Sequence, residues 1–313
     1  NLSGPLTLFV SFLYFRNRMM SEQEILNMFR AILLPLISMS VILAIRAPSM
    51  ENIIFGTEAN FQMSGGYGPN QVSSALGLVI TIIALSKILG YTLFNKNSYD
   101  YAILGICSTQ AYLTFARGGV LTAILAIITA WLISHRQDSS RHLRKGKIVY
   151  VIVILLMLWN VAGDFTAGLM KKRYLSIFKI DESGELSGSG RLRIMSIDLE
   201  IFLDNVIIGV GPGISAEMRA DYGYGSVVAS HSEFTRILAE HGLFGLLGLC
   251  SLVILSYREF LNHKNEEKCI LACFTSMAIL TMLHSAMRLA MPGFIFGFGF
   301  IKLISSASNP KKQ

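Results

Sequence analysis

Two arginines and a histidine in this chain have the chemistry to hold an anion and move a proton. Arg117 stands in Thr114-Phe115-Ala116-Arg117-Gly118-Gly119, between two apolar runs that leave almost no loop. An arginine so placed either snorkels to an interface or is aimed into a cavity between helices. Its side of the chain is the one that the basic residues of the short loops avoid, and a cation set against that rule implies an anion to meet it. Arg191 follows Ser187-Gly188-Ser189-Gly190, and the next stretch, 192–203, has apolar residues at helical spacing. A glycine-serine turn running into a helix start offers free N–H groups and the positive end of a dipole, which makes Gly190 a candidate contact beside Arg191. The plainer reading is a serine-rich linker with a cap.

His231, in Val228-Ala229-Ser230-His231-Ser232-Glu233-Phe234, precedes an amphipathic stretch that ends at Glu240 and His241. Three of the six histidines, His135, His142 and His263, fall in basic loops. His231, His241 and His284 remain as candidates for a base near neutral pH. His231 is the choice among them because Ser232 beside it is an apt N-cap, with an acidic residue following in the first turn. Between Arg191 and His231 lies Gly209-Val210-Gly211-Pro212-Gly213. It lacks the trailing Gly-Lys-Ser/Thr of a nucleotide loop and reads as a sharp turn. Such a turn would set the next segment, with Arg219, Tyr222 and Tyr224, over a membrane-facing cavity, and Gly211, Gly213 and Arg219 are candidate substrate contacts there. No His-x-x-x-His pair or carboxylate cluster offers a divalent metal site, so the expected chemistry uses neither metal nor cofactor.

The elements that must position these residues are membrane helices. Over 313 residues the chain is 52% hydrophobic and only 15% charged, with a mean hydropathy of +0.53, and the apolar runs are continuous rather than alternating, which argues for helices and against a barrel. Spans are expected at 2–15, 31–45, 72–89, 99–115, 120–133, 148–162, 243–257, 270–284 and 289–304, an all-α polytopic protein of about nine spans. The first run is short and begins at Asn1, so the chain is expected to be a fragment that lacks earlier spans. Three regions follow: N-terminal transmembrane helices over 1–163, a long polar segment over 164–240, and C-terminal helices with a tail over 241–313. The net charge of +7 is spread over alternate loops: Arg16 and Arg18, Lys87 and Lys96, the 136–147 block, Arg258 with Lys264 and Lys268, then Lys311 and Lys312. This pattern puts Arg117, Arg191 and His231 on the outer face. It also argues against nucleic-acid binding, because the charges are not gathered into one patch. Cys107, Cys250, Cys269 and Cys273 all fall in or beside apolar runs, where small buried hydrophobes are the expected role.

Taken in order, Ala-Arg-Gly-Gly at a helix turn, Gly-Ser-Gly-Arg, Gly-Val-Gly-Pro-Gly, His-Ser-Glu-Phe and Glu-His-Gly-Leu-Phe-Gly at 240–245 resemble the O-antigen ligase and Wzy-type polymerase superfamily of bacteria. The Gly68-Pro69-Asn70-Gln71 entry to the third run is similar too. The resemblance covers about 65–304 and implies a GT-C-type glycosyltransferase of the bacterial cytoplasmic (inner) membrane, working on its outer face without metal. Its donor would be an undecaprenyl-diphosphate-linked glycan and its acceptor a growing glycan or lipid A-core, with membrane lipids around it. Carried over, Arg117 and Arg191 would neutralise the diphosphate leaving group and His231 would take the acceptor proton. Here Ala116 replaces a serine common in the family, Ser232 replaces a frequent asparagine, and the aromatic usually found soon after Gly-Arg is missing, with Met195 nearby. The competing class is a transporter or flippase of lipid-linked sugars. The sequence leans against it, because the candidate charges gather on one face and the helix interiors hold almost none.

Overall fold

A computed structural model describes residues 3–48, 59–137, 142–175, 189–225, 227, 230–285 and 289–304. Twelve helices are formed among them: α1 (Ser3–Phe15), α2 (Glu22–Arg46), α3 (Pro69–Leu89), α4 (Asn97–Leu113), α5 (Arg117–Gln137), α6 (His142–Phe165), α7 (Leu169–Leu175), α8 (Ser189–Asp204), α9 (Ser215–Met218), α10 (Glu233–Asn262), α11 (Asn265–Ser285) and α12 (Met291–Phe298). A wide π-helical turn, Ala220–Tyr224, follows α9. Two short strands, β1 (Met19–Met20) and β2 (Lys302–Leu303), pair in parallel.

Six of these helices, α2, α3, α5, α6, α10 and α11, are long and apolar enough to cross a membrane. The outer ones among them turn apolar residues outward as lipid requires: on α6, Met157 is 63% and Val161 60% exposed, and α10 shows Phe244, Leu247 and Val253 in the same way. A water-soluble fold does not present such a surface. The chain is therefore a polytopic helical membrane protein, with six candidate spans among the described residues in place of the nine expected. The run 99–115 forms α4, at 17 residues just short of a full crossing. The run 289–304 is not one helix. Its glycines serve close packing: a Cβ on Gly293 would fall 2.6 Å from the Leu8 nitrogen of α1, and one on Gly297 2.5 Å from the Ser11 carbonyl carbon. The helix ends after eight residues and the chain leaves it to pair Lys302 and Leu303 with Met19 and Met20. α1, at 13 residues, is also short.

α3 is the central post, with α5 and α11 packed along it and α4 and α6 on another side. Its polar residues are buried with its apolar ones. The α3–α5 contact is made by small residues, as lipid-embedded helix pairs favour: a Cβ on Gly77 would sit 2.4 Å from the Gly119 carbonyl oxygen, and one on Gly119 2.2 Å from Ser73. Two ends result. At one, Arg16 approaches Glu259 at 3.9 Å, Lys302 N–H donates to the Arg18 carbonyl, and Leu303 N–H donates to Glu267. This end collects the described basic loops, as the charge pattern predicts. Lys87 is a correction in detail: instead of marking a loop it is fully buried, paired with Asp100 and donating to Asn97 Oδ1 at 2.8 Å. Arg141, Lys311 and Lys312 lie outside the described residues. Arg117, Arg173 and His284 stand at the opposite end.

Candidate functional site

Arg117 is the first residue of α5, and the backbone that delivers it is tightly held. Phe115 adopts a left-handed φ of 56° although it is not glycine and is completely buried, a conformation that surrounding packing must enforce. Asn60 N–H donates to the Thr114 carbonyl at 2.8 Å, and Ser73 Oγ reaches over from α3 to the Ala116 carbonyl at 2.7 Å. Gly118 then lets the His284 ring close in, since a Cβ there would fall 2.0 Å from it. Arg117 spends one donor, Nη1, on the carbonyl of Arg173 at 2.9 Å.

That bond brings in a residue outside the candidates named from the sequence. The chain turns after α6 through Ala167 and Gly168, both at positive φ, and α7 carries Lys171, Lys172 and Arg173 back over the bundle. α7 is anchored by Tyr174, buried edge-on against Trp159 at 4.9 Å and Tyr112 at 6.4 Å between centroids. Burial, joined by the Tyr112 hydroxyl, pushes the Tyr174 phenol up despite the Arg117 and Arg173 charges. The Tyr174 oxygen has no hydrogen-bond partner among the described residues.

Arg191, in the first turn of α8, completes the group. Arg117 and Arg191 each feel the Arg173 charge, and Arg117 feels Arg191 as well. Arg191 is exposed overall; partial desolvation, and then the Arg173 charge, lower its pKa. Three helices distant in sequence thus bring three arginine charges together. Gly190 is exposed, its nearest neighbour the Tyr224 hydroxyl. Ser187 and Gly188, the first half of that turn, lie outside the described residues, as do Val228 and Ala229 ahead of His231.

His231 is held to α8 by a buried polar hub. Asp198 follows Arg191 by about two helical turns, on the same face. Its carboxylate accepts from Ser230 Oγ at 3.0 Å and Thr235 Oγ1 at 2.9 Å, so the residues before and after His231 are tied to the helix that begins with Arg191. The remaining partner is Arg219, whose Nε and Nη2 lie 2.8 and 2.7 Å from Asp198 Oδ1. Arg219 is fully buried and also reaches Ser215. As a desolvated ion pair it braces the α8–α10 joint instead of facing a ligand, which corrects its reading as a substrate contact. Ser232 is the N-cap residue of α10, but its side chain makes no capping bond; its N–H donates to Ser230 Oγ at 3.3 Å instead.

The glycine turn also acts as a clamp. Gly209, Gly211 and Gly213 all have positive φ, at 75°, 98° and 86°, which only glycine adopts cheaply. Val210 and Gly211 donate their N–H groups to the Ala239 and Glu240 carbonyls at 3.0 Å each. The Gly211 amide is thereby committed to α10 and unavailable for a phosphate; Gly213 is exposed, with open space around it. The turn fixes the break in α10 at Gly242, where φ is 57° and ψ −135° and Leu243 N–H finds the Val206 carbonyl at 2.7 Å. The part of α10 before the break packs with α8 around Ile197, Ile201 and Ala239. The part after it is the span foreseen from 243 onward.

Among the other ionisable groups, His284 is half-buried, with Nδ1 3.1 Å from the Leu280 carbonyl and Nε2 3.3 Å from Ser74 Oγ, and it feels the Arg191 charge. Glu233 and Glu240 both pair with Arg236, and Glu240 also accepts from Ser215. Among the described residues no three His, Cys, Asp or Glu side chains are grouped to hold a metal. Sequence reasoning missed Arg173, Tyr174 and Asp198. One signal was readable: Asp198 interrupts the apolar stripe Ile194, Ile197, Ile201.

Comparison with known protein families gives a match. Residues 102–250, close to half of the chain, match the family model described as O-antigen ligase. The match includes α5, α7, α8 and the start of α10, and with them Arg117, Arg173, Arg191 and His231. Neither a search of curated proteins nor one of solved structures returns a match. Residues 102–250 thus carry an O-antigen ligase domain match, in line with the O-antigen ligase and Wzy-type superfamily that the motifs resemble.

Proposed function

We propose that the chain is a glycosyltransferase of the GT-C type that moves a glycan from undecaprenyl diphosphate to an acceptor hydroxyl, as ligase or polymerase, on the outer face of the bacterial cytoplasmic membrane. The acceptor is lipid A-core in the first case and a growing surface polysaccharide in the second. Under this reading 1–163 and 241–313 are the membrane frame, and 164–240 is the outer segment that completes the site. One observation carries it above the others: the arginines at 117, 173 and 191, on α5, α7 and α8, are within one another's electrostatic range. Gathering like charges is unfavourable in the empty protein and becomes favourable around a diphosphate, which carries several negative oxygens and suits guanidinium forks.

In the reaction His231 takes the proton of the acceptor hydroxyl, whose oxygen attacks the anomeric carbon from the face opposite the diphosphate. The anomeric C–O bond breaks, its electron pair leaves on the diphosphate, and the configuration inverts. Arg117, Arg173 and Arg191 stabilise the negative charge as it develops, the step at which fixed positive groups contribute most. No metal has a role in this scheme. A flippase is disfavoured because its charges would line a path across the bilayer, whereas these stand at one end.

The test is transfer by the reconstituted protein from a polyprenyl-diphosphate glycan. Arg117→Lys and Arg191→Lys are expected to lose most activity while still inserting, because a point charge cannot replace a bidentate fork. Arg173→Ala is expected to raise the donor KM by about tenfold, roughly one charge-assisted hydrogen bond. Full activity in all three variants would remove the anion site, and with it the reading.

A further inference from the structure

Both ends of α8 are tied to the arginine end of the bundle. At its N-terminus Arg191 is within electrostatic range of Arg117, the first residue of α5, and of His284 in the last turn of α11. Its C-terminus runs into the 205–209 loop, where the Val206 carbonyl accepts from Leu243 N–H at 2.7 Å and a Cβ on Gly242 would fall 2.4 Å from the same oxygen. Leu243 begins the lipid-facing part of α10, with Phe244 69% exposed beside it. The 16 residues of α8 make a rod of roughly 24 Å. Held at both ends, it lies along the bilayer surface and does not stand up from it.

At about 100° per residue this helix has three sectors. Ile194, Ile197, Asp198 and Ile201 are buried, on the side packed against α10. Arg193, Glu200 and Asp204, with Ser196 at their border, form an exposed polar sector. Opposite the buried sector stand Leu192, Leu199 and Leu203, all exposed. Beyond them, in the loop that closes on Leu243, Ile207 and Ile208 are 69% and 71% exposed. Two adjacent isoleucines bared beside a lipid-facing span are unfavourable in water and favourable among acyl chains.

We infer that the exposed leucines of α8 and the Ile207-Ile208 loop are embedded in the leaflet on the arginine side, at the boundary of headgroups and acyl chains, so that α8 is an interfacial helix and its partner is the lipid surface. Continuity identifies the occupant. The loop is hydrogen-bonded to the residue where α10 enters the lipid, so Ile207 and Ile208 stand at the level where Phe244 already faces it. The order of the sectors agrees, since an interfacial helix keeps a polar face in water and sinks its leucines by about 5–10 Å. The anchor has a consequence for the site: Arg191 starts this helix and His231 is tied to it through Asp198, so both are held at headgroup level, where a lipid diphosphate carries its charge. That consequence rests on the anion site proposed above; the anchoring itself does not.

The test uses the full chain, with Cys107, Cys250, Cys269 and Cys273 replaced, in phosphatidylcholine vesicles. Leu203→Cys, Ile207→Cys and Glu200→Cys, one at a time, carry an environment-sensitive fluorophore. Quenching is read with iodide in the water and with phosphatidylcholine spin-labelled at two acyl depths. The probes at 203 and 207 are expected about 5–10 Å into the boundary, quenched by lipid and shielded from iodide, and the probe at 200 is expected to show the reverse. Ile207→Asp with Ile208→Asp alters only exposed side chains, so folding is expected to survive. In that background the probe at 203 is expected to rise toward water by roughly 5 Å, because carboxylates do not enter the acyl region. The inference is overturned by equal iodide quenching at all three positions, by an unchanged depth at 203 in the double variant, or by probes at 203 and 207 that neither iodide nor lipid quenches, which would mark a protein contact in place of lipid. The depths are read with no glycan donor present. Probes at depth in a protein that transfers no glycan would leave α8 anchored and sink the functional reading, and transfer by a protein whose probes sit in water would do the reverse.

Discussion

At the scale of single residues the proton is the sharpest issue. A base must be neutral to accept a proton, so transfer that depends on an imidazole rises with pH through roughly 6 to 7. His231→Ala is expected to lose on the order of 10²–10⁴-fold in rate while still binding donor. A rise near pH 4 to 5 would instead mark a carboxylate. The carboxylates nearest in sequence are already engaged, Glu233 and Glu240 by Arg236. His284 is the informative control, because it stands near Arg191. Its ring is wedged against Gly118, so His284→Ala is expected to lower stability more than chemistry. An active His231→Ala beside a dead, folded His284→Ala would move the base to α11. Arg117, Arg191 and His231 were legible in the sequence because each sits where hydropathy breaks. Arg173 was not, since one basic residue in a long polar segment has no periodicity to announce it.

Between elements the decisive joint is α8 against the first part of α10. Asp198 holds it by accepting from Ser230 and Thr235 and pairing with Arg219. Removing one member of a buried ion pair strands the other charge, at a cost of about 3–5 kcal/mol. Asp198→Ala is therefore expected to destabilise the protein by that amount in thermal or denaturant unfolding in detergent, and to cut transfer by releasing the segment that carries His231. Asp204→Ala, which removes an exposed partner of Tyr222, is expected to cost under about 1 kcal/mol. Equal effects from the two would deny Asp198 its bracing role. The break at Gly242 belongs to the same joint. The sequence marked it only as the point where an amphipathic stretch becomes a span. That the Gly209–Gly213 turn closes on it through Val210 and Gly211 required two segments about thirty residues apart to meet.

For the whole molecule the expectation concerns sidedness. In a background lacking Cys107, Cys250, Cys269 and Cys273, Ser196→Cys on α8 is expected to react with a membrane-impermeant maleimide in cells whose outer membrane has been permeabilised. Asn262→Cys, at the basic end of α10, is expected to react only after lysis. Both positions are exposed in the fold, so access to the reagent reports the side of the membrane. Labelling of Asn262→Cys alone in intact cells would invert the topology and remove the outer-face reading.

Hydropathy and charge alone determined that this chain is a helical membrane protein and set Arg117, Arg191 and His231 apart from the short basic loops. These properties are local: a helix satisfies its own backbone, and a basic loop sorts by its own charge. How the last apolar run is built was decided by packing. Gly293 and Gly297 look like further residues of an apolar run until α1 is laid against them, and α12 then ends early. The third arginine and the Asp198–Arg219 pair were likewise decided only in three dimensions. Each is a contact between helices far apart in sequence, and neither side of such a contact carries the pattern of the other.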